Sequence, residues 1–217
     1  MRSSGTNAFI SNDGVDRLNQ HGAIRIGYLD NCSPFCTASG SGDLTGVLND
    51  YLTLAAKCTK NVTLDFDTRA YPTLSDAFTA LNAGEIDCVF PVCLSPFDAE
   101  QMNVMVTSPF VQTEMYLLMR KDSQSTISAD SNMVVAINET NSNEITFLKD
   151  HFPNSRIVKC TSVEACVNAV ESSDADCLII SNYQVTQPQF DNYDLYPLTT
   201  GETMDFAFAV RKSDHAL

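Results

Sequence analysis

The chain has 217 residues, with 13 basic against 27 acidic side chains and a net charge of −14. A general nucleic-acid binder needs a basic face, so the charge argues against that class and for an acidic, solvated surface. Apolar residues make up 44%, enough for a packed core and too many for a disordered chain. No run approaches the roughly 18 apolar residues of a membrane span. Met1-Arg2-Ser3-Ser4-Gly5 opens no apolar signal segment. The expectation is a domain whose targeting or anchoring segment lies outside this sequence.

In chain order, residues 1–11 are small and polar, and 13–22 predict a short helix with Val15 and Leu18 inward, stopped by Gly22. Ile24 to Tyr28 reads as a strand, and 30–43 as a loop rich in Ser, Gly, Cys and Pro. A helix follows from about Thr45, with Val47, Tyr51, Leu54, Ala55 and Cys58 on one side. Residues 62–66 alternate as a strand does. Thr73 can cap the next helix, with Asp76 three residues on. Leu74, Ala77, Phe78 and Leu81 then form one apolar face. Gly84 stops that helix, Asp87 ends the turn, and Cys88-Val89-Phe90 reads as a strand buried on both faces. The order β-α-β-α-β implies a parallel sheet packed with helices.

Residues 104–106 and 115–119 are strand-like around Ser108-Pro109-Phe110, which reads as a crossing between two lobes. After a polar loop over 121–132, the second half repeats the order. A strand spans 133–137, and a helix capped by Thr140, Asn141 or Ser142 carries Ile145, Leu148 and Phe152. A strand spans 156–159, a helix starts at Thr161 with Glu164 three residues on, and a buried strand spans 177–180. Residues 205–210 alternate as a returning strand. The helix–turn–strand unit over 73–93 thus recurs 89 residues later, with Val163, Cys166, Val167 and Val170 in place of the apolar face, Ser173 in place of Gly84 and Asp176 in place of Asp87.

Eight cysteines, at 32, 36, 58, 88, 93, 160, 166 and 177, suit an oxidising compartment. They allow 105 full pairings, so connectivity is open. Cys88 and Cys177 read as small core residues, while Cys32 can close on Cys36 and Cys160 on Cys166. No CxxC spacing exists, and none of His21, His151 and His215 falls in a cluster, so no metal and no cofactor is expected.

Several segments together resemble the type II periplasmic solute-binding proteins, the amino-acid-binding-like family 3. These are Ile26-Gly27-Tyr28 with Ser33-Pro34-Phe35, Gly42-Asp43-Leu44-Thr45-Gly46-Val47, Ala80-Leu81-Asn82-Ala83-Gly84-Glu85-Ile86-Asp87, Thr107-Ser108-Pro109-Phe110 and Ala209-Val210-Arg211-Lys212-Ser213-Asp214. The extracellular sensor modules of histidine kinases and diguanylate cyclases are the most similar branch. The resemblance implies an α/β, two-lobed fold, each lobe a mainly parallel sheet flanked by helices, with two hinge crossings. The expected division is an N-terminal extension over 1–22, lobe one over 23–112 and 200–217, and lobe two over 113–199.

The function so implied is an extracytoplasmic small-ligand-binding sensor domain of a membrane receptor. The alternative is the solute-binding protein of a transporter, and less favoured is an enzyme on the same scaffold, for which the cleft carboxylates Asp30 and Asp98 are the residues to check. The partner is a small molecule in the interlobe cleft, with no nucleic acid, a membrane tether outside this chain, and room for a tandem copy or a receptor dimer. Ligand contacts are expected at the carboxyl ends of the strands: Asp30, Phe35, Arg69, Tyr71, Val92, Ser95, Thr140, Ser142, Ser181 and Tyr183. Thr140 and Ser142 stand where a helix N-terminus favours an anion. Amino-acid binders of this family carry an Arg shortly after the first buried strand and an Asp after the second. Residues 95–100 hold no Arg here, and Ser181-Asn182 stands at the Asp position. The expectation is a ligand other than a standard free amino acid, with Arg69 the one cation able to compensate.

Overall fold

The computed structural model describes residues 22–30, 32–58, 64–123, 127–128, 130–139, 141–185, 190–198 and 203–214. The helix expected over 13–22 lies outside these residues except for Gly22, and so does Thr140.

The elements in order are β1 (Ile24–Leu29), β2 (Thr37–Ala38), β3 (Leu44–Thr45), α1 (Val47–Cys58), β4 (Phe66–Tyr71), α2 (Leu74–Asn82), β5 (Cys88–Val92), α3 (Pro96–Gln101), β6 (Val104–Val106) and β7 (Val111–Arg120). They continue with β8 (Val134–Asn138), α4 (Ser142–His151), β9 (Arg156–Cys160), α5 (Val163–Glu171), β10 (Cys177–Ser181), α6 (Asn182–Val185), β11 (Tyr193–Pro197) and β12 (Thr203–Arg211). The main sheet runs β4-β1-β5-β12-β7-β10-β8-β9. In its first half β4, β1 and β5 are parallel; in its second half β9, β8 and β10 are parallel. The long antiparallel strands β12 and β7 join the halves, pairing from Thr203↔Glu114 to Phe206↔Val111. This is a two-lobed, periplasmic-binding-protein-like fold.

The repeat is built as its sequence demands. Thr73 Oγ1 accepts from the Asp76 N–H at 3.1 Å, and Ser162 Oγ accepts from the Ala165 N–H at 3.1 Å, each filling one orphan donor of a helix start. Subtracting equivalent bounds gives 163 − 74 = 89 for the helices and 177 − 88 = 89 for the strands. The turns agree too: Gly84 has φ 76° and Ser173 has φ 63°. Each turn ends on an aspartate that holds the first strand of its lobe. Asp87 Oδ2 accepts from the Arg25 N–H at 3.0 Å, and Asp176 Oδ2 accepts from the Val134 N–H at 2.8 Å.

One apolar cluster lies under α2 and includes Leu74, Phe78, Leu81 and Val89. Another lies under α5 and includes Cys166, Val170 and Leu178. The largest fills the opposite side of both halves and passes through the crossing strands at Met115, Met204 and Phe206. Cys88 and Cys177 are both buried core residues.

Four expectations shift. The second strand is β4 at 66–71, meeting the expected 62–66 at Phe66, while 62–63 lie outside the described residues; its alternation is weak because it is an edge strand with Asp67, Arg69 and Ala70 exposed. The buried face of α1 is Leu48 and Leu52, while Val47, Tyr51 and Leu54 are exposed. Ser162, not Thr161, caps α5. The short elements α3, α6 and β11 were not expected at all.

Candidate functional site

Parallel strands in both halves end at one cleft, where loops supply ligand-facing groups and the sheets hold them. An open cavity of about 540 Å³ runs from there along α2 to the end of α3 at Gln101 and Met102, beside the Phe35 cluster and sharing no lining residue with it. Thr73, Ser75, Thr79 and Asn82, along the start and outer face of α2, form its neutral polar wall, and Glu139 and Lys159 face them from the second half. Glu139 is fixed by its own N–H, which donates to the Cys160 carbonyl at 2.8 Å. This cavity therefore sets hydroxyls, two amides and the apolar Leu74, Phe78 and Met102 against one carboxylate and one ammonium.

Phe35 is only 1% exposed. Its ring lies 4.4 Å from that of Phe206 on β12, 6.4 Å from Phe90 on β5 and 6.3 Å from Tyr183 on α6, measured between centroids. Loop, hinge strand and second-half helix thus meet on one aromatic side chain. Tyr183 remains 47% exposed. Asp30 holds its own loop: Oδ1 accepts from the Ala38 N–H at 2.9 Å, while the Asp30 N–H donates to the Tyr71 carbonyl at 3.0 Å.

The other expected contacts are engaged elsewhere. Arg69 points back along β4, its guanidinium 5.4 Å above the Tyr71 ring and 3.6 Å from Glu85. Glu85 precedes β5, at the end of the sheet away from the cleft, so Arg69 does not supply the compensating cation. Tyr71 is buried under α2 and leans over Gly27, where an added Cβ would come 3.1 Å from its ring; its hydroxyl has no partner. Val92 belongs to the core under α2. Ser95 caps α3, accepting from the Asp98 N–H at 3.1 Å and donating to Asp98 Oδ2 at 2.5 Å. This pairing also occupies Asp98, the second carboxylate singled out for an enzyme. Ser181 is fully buried and donates to Gln184 Oε1 at 3.0 Å. Ser142 opens α4, but its side chain lies outside the described residues.

The sequence reading noted Asn182 only as a missing aspartate, and Glu139, Lys159 and Glu144 escaped it. Asn182 Oδ1 is buried without a partner, one residue past Ser181 at the position where the family pattern places its aspartate. Glu139 and Lys159 follow from topology, since each stands at the carboxyl end of a parallel strand. Near them, Glu144 in the first turn of α4 is 1% exposed and accepts from Asn141 Nδ2 at 3.0 Å, with Oε2 unpartnered. Burial raises its carboxyl well above the usual range, and the Asn141 bond offsets only part of that. Among the described residues no group of three His, Cys, Asp or Glu is placed to hold a metal ion.

The sequence model of the bacterial extracellular solute-binding proteins, family 3, matches residues 24–217. The chain belongs to this family. Among solved structures, the periplasmic VFT2 domain of Bordetella pertussis BvgS is similar at a TM-score of 0.81 and 19% identity, covering 94% of this chain and 87% of that one. The longer BvgS periplasmic domain matches at a TM-score of 0.80 and 19% identity; the match covers 95% of this chain and 40% of that one. The ancestral amino-acid-binding protein AncCDT-1, a precursor of cyclohexadienyl dehydratase, is similar at 0.70 and 20% identity, covering 92% and 86%. Arginine-bound ArgBP of T. maritima is similar at 0.70 and 15% identity, covering 92% of each chain. No curated protein sequence matches. At these identities the structural likenesses concern the fold, while membership of family 3 rests on the sequence match.

Proposed function

We propose that this family 3 domain is the extracytoplasmic small-ligand sensor of a membrane signalling receptor with a kinase or cyclase output. The observation that carries the reading is the pairing of β12 with β7, which leaves both sets of parallel strands ending at one cleft. A ligand held by both sets of loops favours one arrangement of the lobes, and that preference is the signal. In this reading lobe one comprises 23–112 and 200–217, lobe two comprises 113–199, and the membrane tether lies outside the chain. The higher TM-score with the BvgS periplasmic VFT2 domain than with amino-acid-binding proteins supports a role other than amino-acid capture.

The ligand is a small polar metabolite or short peptide rather than a standard free amino acid. Bidentate carboxylate recognition calls for an Arg; residues 95–100 hold none, and Arg69 is occupied by Glu85. Asn182 Oδ1 accepts a ligand N–H or O–H, the half-exposed Tyr183 ring offers a wall backed by Phe35, and the start of α4 at Ser142 favours an anion. The domain is not an enzyme in this reading, since Asp30 and Asp98 serve their own loops. The likeness to ArgBP favours a second reading, a substrate-capture protein of a transporter.

Thermal unfolding against amino acids, peptides, organic acids and polyamines tests the proposal. At one hundred times its dissociation constant a ligand adds about 2.7 kcal/mol, or about 5–10 °C for a chain of this size. A shift confined to a class other than standard amino acids is the expected result. An equal shift with ordinary amino acids would overturn the reading of the anchors, and no shift across the panel would point to a ligand-free interaction module.

A further inference from the structure

The geometry points to a short disulfide staple, Cys32–Cys36, which fixes the loop that carries Phe35. Cys32 and Cys36 exchange both backbone hydrogen bonds: the Cys32 N–H donates to the Cys36 carbonyl at 3.0 Å, and the Cys36 N–H donates to the Cys32 carbonyl at 3.1 Å. Such a pair holds its Cα atoms about 5.5 Å apart, inside the range of about 4.4–6.8 Å that a disulfide spans. The Cys36 thiol donates to the Leu29 carbonyl at 3.1 Å, which holds it at the end of β1.

The loop between Cys32 and Cys36 is a junction. The Pro34 and Phe35 carbonyls accept from the Val47 and Leu48 N–H groups at 3.1 and 3.0 Å, so it seats the first turn of α1. Phe35 reaches Phe206 on the hinge strand and Tyr183 beyond it. A staple across this loop keeps that aromatic contact in register; opening it releases the contact. This last consequence rests on the two-lobe reading above, whereas the pairing itself does not.

Closure needs a disulfide donor, such as oxidised glutathione or a disulfide-bearing oxidoreductase. The partly exposed Cys32 attacks one donor sulfur as thiolate; the donor S–S bond breaks, one donor thiol leaves and a mixed disulfide forms. The Cys36 thiolate then attacks the Cys32 sulfur and the second donor thiol leaves. Two electrons pass to the donor, and the two cysteine protons end on the two donor thiols. The Cys36 thiol is held above its ordinary range by its bond with Cys32 and then by burial, so closure accelerates as pH rises.

The test is a peptide map of the whole chain after equilibration with oxidised glutathione, denaturation and alkylation. Trypsin leaves 26–57, holding Cys32 and Cys36. That peptide is expected two hydrogens lighter and unalkylated. Alkylation of Cys32 and Cys36, or a link from either to another cysteine, overturns the assignment. For the consequence, Cys32→Ser/Cys36→Ser is expected to unfold several degrees below oxidised wild type and together with reduced wild type. Should that variant not fold, oxidised against reduced wild type gives the same comparison, and equal midpoints there overturn it. No ligand enters either readout, so failure here is distinct from failure to find a ligand.

Discussion

The two copies of the helix–turn–strand unit differ in how firmly they are held. In lobe one, Leu74, Ala77, Phe78 and Leu81 of α2 are all buried. In lobe two, only Cys166 and Val170 of the matching face on α5 are. The aspartates differ in the same direction. Asp87 takes the Arg25 side chain at 2.7 and 3.1 Å besides the backbone bond, and Arg211 from β12 at 3.3 Å. Arg211 also donates to the Leu81 and Ile86 carbonyls at 2.7 and 2.5 Å and pairs with Asp214 at 2.6 Å. Burial would push the Asp87 carboxyl up, but the hydrogen bonds and charge of Arg25, with Arg211, outweigh it and hold the carboxyl below its usual range. Asp176 keeps the backbone bond to Val134, and among the described residues no arginine clamps it. The same sequence unit therefore makes a rigid scaffold in one lobe and a looser one in the other. In the proposed closure, the larger motion is expected of the lobe with the lighter core.

Asp87→Ala breaks this comparison most severely. Two arginines lose a buried partner, which costs about 3–5 kcal/mol. Asp176→Ala leaves one strand N–H unsatisfied, at about 1–3 kcal/mol. Equal losses in chemical denaturation would remove the asymmetry. The sign in pH is also fixed. Asp87 is more acidic folded than unfolded, so its stabilisation is present above the unfolded value of 3.8 and is lost as pH falls below it. Asp87→Ala is expected to flatten the acid limb of midpoint against pH.

Glu144 in lobe two has the opposite slope. Its folded carboxyl titrates well above the unfolded value of 4.5, so the folded state binds the extra proton and stability falls as pH rises beyond 4.5. Glu144→Gln removes that loss and is expected to raise stability at pH 8 by about 1–2 kcal/mol, with a smaller gain at pH 5. A variant less stable at pH 8 would contradict the assignment.

The smallest effect sharpens the repeat itself. At φ 76° Gly84 occupies a left-handed position with open space around its missing Cβ, so Gly84→Ala costs about 1 kcal/mol from backbone strain alone. Ser173 bears that strain already at φ 63°, and Ser173→Gly is expected to stabilise by up to about 1 kcal/mol. Thermal midpoints read both, and a loss on Ser173→Gly would deny that the turns are equivalent.

These pairs also show what was legible. The repeat was, because Thr73, Gly84 and Asp87 each have a local job that forces a residue type, and the 89-residue spacing survives with Ser162, Ser173 and Asp176 in the same jobs. The crossing strands were legible from the punctuation of Ser108-Pro109-Phe110 and the alternation of 205–210. The face of α1 was not, since Val47, Leu48, Tyr51, Leu52 and Leu54 offer two overlapping apolar stripes and only tertiary packing under Phe35 chooses between them. α3 announced itself only as Ser95-Pro96 with Asp98, a cap too short to carry periodicity. At the site, topology gave the loops but not side-chain direction. Val92, Ser181 and Tyr71 stand at strand ends, yet the two-residue alternation turns each into the core or a cap, while Asn182, one step on, keeps a buried carbonyl oxygen without a partner.

The central claim, two lobes that close on a small ligand, is tested most directly by the distance between probes at the exposed residues Asn82 and Lys159, which face each other across the cleft. Recorded with each compound of the ligand panel, the distance distribution is expected to shorten and narrow with the same compounds that raise the unfolding midpoint, and with no others. A compound that raises the midpoint while leaving the distribution unchanged would contradict closure as the response to ligand.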